Sequence, residues 1–515
     1  MSVKTAAVTP SIPAARSRVW AAWMAALLLV FAAGLAIRLF DLDDPPLDFH
    51  VPRQIHSALV ARGMFAAEGG WISSGHPVRA IALGASEQWI EPPIIEWLVS
   101  RAYLLAGDAD LRIPRLFSIG FWLLGGAALF WLARQFSSWA GALVALLYYL
   151  LLPYGVIASR SFQPDPLMVA LTVAGLAALY RWRCAPGYGW AVAAGLVMGL
   201  AILVKQVVVF PLAGAAAGLV LGSLGWRGAL RSRQVWLMAG LAVLPVVGYN
   251  VYGLWIAGFL GEQYGLRFFP GLLVDPAFYI RWAHQIEMTT GLAAALLGVV
   301  GSLLAPGNGR RGLLWGLWAG YLVYGLVFAY YTASHDYYHL PLIPLVALSL
   351  APLAVHLVNG LPRWKPAWLA PVVLAGVLAV GSLYALYNTR AALKRNDYRA
   401  EPAVWYRLSQ AMGFDGSKVI GVLDDYGARL MYWGYVTPAY WPSIGDVQLR
   451  ELAGQDPEAV SFTERTAGRD FFVVTNFVDF EAQPELKRLL AERYPVFEQG
   501  DGYLIYDLRQ PLEVE

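Results

Sequence analysis

PIIEWLVSRAYLLA, residues 93–106, is the stretch on which the topology turns. It is apolar but short, and it carries Glu96 and Arg101. A transmembrane helix needs about 20 predominantly apolar residues, so 93–106 reads as an interfacial helix lying on the membrane. The loops on either side test that reading. With the N-terminus cytoplasmic and 93–106 left out of the spans, the basic connections fall on one side. These are Arg134, Arg181 and Arg183, Arg227, Arg231 and Arg233, Arg310 and Arg311, then Arg363 and Lys365. The positive-inside rule requires this. Counting 93–106 as a span inverts everything after it and breaks the rule repeatedly.

Working outward, the spans predicted from apolar runs are 19–38, 114–133, 139–158, 166–182, 189–204, 207–225, 235–256, 288–305, 313–332, 338–358 and 367–387, about eleven in all. Composition agrees: 58% of the 515 residues are hydrophobic and 14% charged, against roughly 25% charged in a soluble protein. Lys4, Arg16 and Arg18 precede the first run, which continues to Ile37 and meets Arg38 rather than a small-residue cleavage site. It reads as a retained helix, not a removed signal. The 21 tryptophans and 27 tyrosines suit aromatic rings at several interfaces. A net charge of +3, with no basic tract interleaved with aromatics, gives no sign of nucleic acid. The single cysteine, Cys184, excludes an intrachain disulfide and a multi-Cys metal site.

The expected fold class is therefore a polytopic α-helical integral membrane protein. Residues 1–388 form its membrane module, with a long first outer loop at about 39–113. Residues 389–515 are soluble in composition. β-rich runs at Val419–Leu423, Phe471–Thr475 and Tyr503–Tyr506 alternate with helix-like stretches such as Pro484–Arg493. They predict a small extracytoplasmic α/β domain with an open sheet.

Ionisable groups at membrane depth are costly and usually functional. On the expected outer side they are Asp48, His50, Arg53, His56, Glu91, Arg160, Asp165, Lys205, Gln206, His335, Asp336 and His339. The cytoplasmic ends carry little beyond the topology-setting arginines. In the first loop Asp41, Asp43 and Asp44 read as turn residues beside Pro45–Pro46, whereas Asp48 is a candidate base and Arg53, Arg160 or Lys205 candidate cations for a phosphate. Glu91, ahead of Pro92–Pro93, suits either a site or the positive end of a helix. Arg160 and Asp165 flank Pro164 as a structural pair or as part of a site. Lys205 and Gln206 interrupt an apolar run, which suits anion binding. His335, Asp336 and His339 are candidates for a divalent metal, or for hydrogen bonds to phosphate or sugar. The 257–287 loop, with Glu262 and Arg267, is a candidate cover.

Several stretches occur together in one order. The first helix ends in Arg38-Leu39; an acidic outer loop follows, then Pro92-Pro93-Ile94 before Trp97-Leu98. Arg112-Ile-Pro-Arg-Leu-Phe-Ser118 opens the second span, followed by Ser159-Arg-Ser-Phe-Gln-Pro-Asp-Pro166 and Leu203-Val-Lys205. This order resembles the protein O-mannosyltransferase superfamily, which includes the lipid A aminoarabinose transferases. The likeness covers about residues 19–210. It implies a GT-C fold, an inverting glycosyltransferase with a polyprenyl-phosphate sugar donor, and a first-loop aspartate as base. Carried over, Asp48 is the base, with Lys205, Arg160 and Asp165 near the donor phosphate. The chain departs from the family where Phe49-His50 follow Asp48, so that His50 is the other occupant of the base position. It departs again where Glu91 replaces a family lysine. The acceptor is a protein, lipid or glycan hydroxyl on the extracytoplasmic face, and membrane lipids surround the enzyme. No cofactor beyond a possible divalent metal is implied. A transporter or flippase for a lipid-linked sugar, or a polysaccharide polymerase or ligase, are the competing readings. The first predicts paired inverted halves, which the sequence does not show.

Overall fold

The computed structural model describes residues 14–72, 75–261, 267–360, 369–452 and 461–512, with 366 and 454 besides. Lys4, Glu262, Arg363 and Lys365 lie outside them. Seven of the described helices are long and apolar enough to cross a membrane: Arg18–Leu39, Arg112–Phe136, Asp165–Cys184, Gln206–Arg231, Arg233–Ile256, Asp336–Gly360 and Val372–Leu393. Pro276–Thr290 and Leu292–Leu303, bent by 88°, make an eighth if taken as one span. The chain is an integral membrane protein.

The count of about eleven is not reproduced, and each difference has a local cause. The 139–158 run breaks at Leu152, whose ψ of 121° is extended, because Pro153 pushes the preceding residue out of the helical region. The 189–204 run is a helix of only 17 residues, Tyr188–Val204. The 313–332 run falls in the helix Asn308–Val327, whose first turn is polar with Arg310 and Arg311, and it breaks at Phe328 (φ −105°, ψ 47°). The 288–305 run shares its first residues with the preceding helix and restarts after Gly291, whose φ is 76°. The last long helix continues to Leu393, past the expected boundary at 388. By contrast 93–106 is the 13-residue helix Ile94–Ala106. At 1.5 Å per residue it is about 20 Å long, too short to span.

One helix pair owes its closeness to glycine. Gly214, Gly218 and Gly222 recur every fourth residue on Val209–Arg231, and Gly312, Gly316 and Gly320 do the same on Asn308–Val327. A Cβ at Gly218 would lie 1.9 Å from the Gly312 carbonyl oxygen, and one at Gly214 2.1 Å from that of Gly316. Only hydrogen side chains let the two backbones meet, and small residues every fourth position are how helices associate without a hydrophobic drive between them.

The C-terminal region carries a five-stranded sheet in the order β2-β1-β3-β5-β4. Its strands are β1 (Val419–Val422), β2 (Ala439–Tyr440), β3 (Phe471–Val474), β4 (Val496–Gly500) and β5 (Tyr503–Asp507). β1 runs parallel to β2 and β3, with Ile420 opposite Phe472, while β3–β5 and β5–β4 are antiparallel. β1 and β3 are buried throughout, which explains their continuous apolar runs: both faces are covered. One face packs on Trp405, Leu408 and Leu430, the other on Phe480, Leu486 and Leu490.

This unit docks on the first loop. Arg62 donates to the Tyr432 carbonyl (2.6 Å) and the Tyr435 hydroxyl (3.2 Å), its guanidinium 4.0 and 4.5 Å from the two ring centroids. Arg79 donates to the Phe414 carbonyl. Arg399 pairs with Asp41 at 2.5 Å, and the Tyr398 amide donates to Asp44.

Candidate active site

The polar residues singled out in sequence stand where helices begin or break. His50 adopts a left-handed conformation (φ 41°, ψ 64°) just ahead of the helix Val51–Ala67. Asp165 opens Asp165–Cys184. Lys205 is extended (φ −155°, ψ 109°) between Tyr188–Val204 and the turn that starts the next span. His335 is likewise extended (φ −126°, ψ 111°), between Ala329–Ser334 and a 3-10 turn. Irregular backbone in a membrane protein survives where it is enclosed by protein or lines a polar cavity.

Two cations converge on one buried carboxylate. Lys205 Nζ lies 2.5 Å from Asp165 Oδ1, with side chains 5% and 0% exposed. Arg53 reaches Asp165 Oδ2 at 3.8 Å and Glu91 at 3.9 Å. Both cations lie 4.8 Å from the centroid of the Tyr337 ring. Burial opposes the Arg53 charge, yet Tyr337, Glu91 and Asp165 outweigh it and hold the guanidinium above its ordinary value. The group opens on a cavity of about 150 Å³ lined also by Gln206, Arg267, Tyr331 and Tyr338. Gln206 exchanges hydrogen bonds with Asn250 on its far side.

Asp48 belongs to a neighbouring cluster. Its carboxylate is 3.6 Å from Arg115 and 20% exposed. Arg115, buried, also donates to the Leu42 and Asp44 carbonyls (3.0 and 2.6 Å), so it shapes the acidic turn as well as facing Asp48. Arg160 joins this cluster and not the Lys205 cavity: it donates to the Asp41 carbonyl at 2.9 Å. Its Nε and Nη1 have no acceptor among the described residues although the side chain is buried. Gln54, also buried, ties the loop down by donating to the Pro46 and Phe49 carbonyls and accepting from the Phe162 amide.

His50 stands beside Tyr337, two residues after Asp48 in the chain. Its Nε2 is 2.5 Å from Asp336 Oδ1, and its ring meets Tyr337 edge-on at 4.6 Å. His335 is pushed down to about 4 by burial and by His50 beside it, so it is neutral at physiological pH. The expected trio of His335, Asp336 and His339 does not assemble. His339 is buried, with Nδ1 2.6 Å from the Tyr321 hydroxyl and Nε2 2.8 Å from the Thr332 carbonyl. In a 3-10 turn residues three apart eclipse, so the four-residue spacing separates the rings. Among the described residues no group of three His, Cys, Asp or Glu is placed to hold a metal ion.

A second cavity, about 450 Å³, shares Arg53, Ile90 and Glu91 with the first. One wall is His56, Ser57 and Glu96, another is Glu87 and Trp89, and Asp425 and Tyr426 of the C-terminal unit close it over. His56 and Glu87 are 2.5 Å apart. Glu96 accepts from Ser57 at 2.6 Å, and burial holds its carboxyl above the ordinary range. Asp425 (φ 51°) and Tyr426 (φ 59°) are left-handed in succession, ahead of Gly427. Such residues cost on the order of 1–3 kcal/mol each. Arg429 holds the tip, bonded to Asp425 at 2.6 Å and to Glu401 at 3.2 Å.

Of the residues expected from sequence, Arg53, Glu91, Asp165, Lys205 and Gln206 come together, with His50 and Asp336 alongside through Tyr337. Asp48 and Arg160 form the adjoining cluster, while His339 stands apart. Arg115, Gln54, Tyr337, Tyr338, Trp89, Asp425 and Tyr426 were not foreseen as site residues. Arg115 lay in plain view within Arg112-Ile-Pro-Arg115. Asp425 and Tyr426 had no local signal, since a left-handed tyrosine is not written in Asp-Asp-Tyr-Gly.

A bundle of apolar helices, a polar cleft at helix breaks beside a long first loop, and an α/β unit docked over that loop make up a GT-C-like fold. Residues 90–252 match the family model described as dolichyl-phosphate-mannose-protein mannosyltransferase. The chain superposes on ArnT from Cupriavidus metallidurans bound to undecaprenyl phosphate, with a TM-score of 0.57, 17% identity, and coverage of 93% of this chain and 97% of that one. The apo state of the same protein gives a TM-score of 0.56 at 18% identity, covering 94% and 98%. The oligosaccharyltransferase of Archaeoglobus fulgidus in its apo form gives 0.50 at 14% identity, covering 95% of this chain and 75% of that one. No curated protein sequence matches the chain. At these identities the solved structures establish a shared fold.

Proposed function

We propose that the protein is an inverting glycosyltransferase that moves a sugar from a polyprenyl-phosphate donor to an acceptor hydroxyl on the extracytoplasmic face. The observation that carries this reading is the pairing of Arg53 and Lys205 over Tyr337. Among the described residues the small cavity they open on is lined by Arg53, Lys205 and Arg267 together with Glu91, and Asp165 backs Lys205. A phosphate leaving with an electron pair needs cations fixed in advance in a site that excludes water. Asp165 fixes Lys205 and steadies Arg53. The undecaprenyl phosphate bound to ArnT, a protein of the same fold, supports a lipid-phosphate donor. The arginine-rich connections support the extracytoplasmic side.

In the reaction the acceptor hydroxyl gives its proton to Asp48 and its oxygen bonds to the anomeric carbon. The bond from that carbon to the phosphate oxygen breaks, and polyprenyl phosphate leaves with the electron pair. Attack opposite the leaving group inverts the carbon. Arg115, 3.6 Å away, holds the Asp48 carboxylate in place. His50, oriented by Asp336, has the base–orienter geometry of a second candidate for the proton. The residues after the last long helix, which ends at Leu393, form the extracytoplasmic unit in this scheme.

The test uses the purified full chain in detergent with an undecaprenyl-phosphate-linked hexose. Release of undecaprenyl phosphate, with transfer to a sugar acceptor or slow hydrolysis to water, is the expected result. Translocation of the lipid across sealed vesicles with no cleavage of the sugar–phosphate bond would replace this reading with a flippase.

A further inference from the structure

The two cavities that meet at Arg53 and Glu91 differ in charge, and the difference names what each takes. Among the described residues, Arg53, Lys205 and Arg267 line the smaller with Glu91, and Asp165 stands behind Lys205. Around the larger, among the described residues, Glu87, Glu91, Glu96 and Asp425 face Arg53, with His56 on Glu87 and Arg429 on Asp425. An anionic ligand is repelled from the second chamber by the groups that line it. Hydroxyl groups, by contrast, donate well to carboxylates, and such hydrogen bonds are the strong ones.

The larger chamber also offers two exposed aromatic faces. Trp89 is 43% exposed and Tyr426 55%, on opposite partners of the interface between the first loop and the C-terminal unit. Aromatic rings present broad apolar faces with a polar edge, which suits the C–H face of a pyranose ring. Tyr426 is held there at a backbone cost, left-handed and fixed through Asp425 and Arg429. Persisting strain of this kind marks a position that the surroundings over-determine.

We infer that the larger chamber is the acceptor site, that it takes a neutral glycan, and that Asp425 and Tyr426 are its specificity-determining residues. This rests on the transferase reading above. The glycan hydroxyl enters from the chamber roofed by Tyr426 toward Arg53 and Glu91, where the donor chamber begins. The C-terminal unit thus completes the acceptor site, and Arg62, clasped by Tyr432 and Tyr435, keeps it seated.

The experiment measures transfer from an undecaprenyl-phosphate-linked hexose to maltotriose and to the same trisaccharide carrying a phosphate monoester, alongside acceptor-free hydrolysis of the donor. Wild type should prefer the neutral acceptor by tenfold or more in kcat/KM. Tyr426→Ala should raise the acceptor KM tenfold or more. Tyr426→Gly should lose acceptor affinity equally while raising the unfolding temperature, because glycine relaxes the left-handed turn. Asp425→Asn, which keeps a hydrogen-bond acceptor for Arg429, should narrow the discrimination against the phosphorylated trisaccharide. An unchanged acceptor KM in both Tyr426 variants, or a wild-type preference for the phosphorylated acceptor, overturns the inference. Absence of donor cleavage in wild type overturns instead the transferase reading on which it stands.

Discussion

Lys205 Nζ stands 2.5 Å from Asp165 Oδ1, the two side chains almost wholly enclosed. Neither is tolerable there alone. Removing one partner of a buried pair costs about 3–5 kcal/mol, whereas replacing both with uncharged groups of similar size is often neutral. Lys205→Met should therefore lower the unfolding temperature markedly, and Lys205→Met with Asp165→Asn should recover most of the loss. Thermal unfolding in detergent reads both, and a single variant as stable as wild type would mean that the pair is already solvated.

Asp48→Asn should reduce transfer by about 10³-fold or more, within the range known for losing a catalytic group, while the protein stays folded and binds lipid phosphate as before. His50→Gln run beside it assigns the base position. If Asp48→Asn retains full rate and His50→Gln is dead, the proton goes to the histidine held by Asp336.

Gly218→Leu places side-chain atoms where the Gly312 carbonyl now lies. Overpacking costs about 1–3 kcal/mol in soluble cores, and here backbone rather than side chain must move, so the loss should reach or exceed the top of that range. Gly240→Ala, where a Cβ meets nothing closer than 4.0 Å, is the matched control and should be neutral. Equal unfolding temperatures for the two variants would contradict the close helix contact.

Burial pushes the Asp424 carboxyl up to about 6, with Arg429 opposing. An acid whose folded value exceeds its unfolded one holds its proton better when folded, so stability falls as pH rises from the ordinary carboxylate range through 6. Asp424→Asn removes that dependence. The unfolding temperature of the variant relative to wild type should therefore climb by about 2 °C or more between pH 4.5 and pH 7. A difference that stays flat with pH would place Asp424 in water.

The sequence was most legible where length and period decide the outcome. The short Ile94–Ala106 helix, seven long apolar helices and the buried strands β1, β3 and β5 all follow from runs that could be counted. It was less legible where a break is tertiary. Nothing local marks Phe328 as a break, and the glycine seam of Gly214, Gly218 and Gly222 reads as apolar filler until its partner helix is known. β2, two residues long, and β4, polar and exposed at the sheet edge, lack an apolar run. In the site, Arg53, Asp165 and Lys205 were visible because a charge in an apolar run needs a partner. His339 stands apart because residues three, not four, apart align in the 3-10 turn that it closes. Asp425 and Tyr426 reach the cavity only through the docking of a unit more than 300 residues away in sequence.

The central claim is that Lys205 and Arg53 hold a lipid phosphate. The most direct measurement is equilibrium binding of undecaprenyl phosphate to the purified protein, comparing wild type with Lys205→Met/Asp165→Asn, which removes the cation without leaving a buried carboxylate. Binding weakened tenfold or more, about 1.4 kcal/mol, with folding intact is the predicted result. Undiminished affinity in that variant would contradict the account.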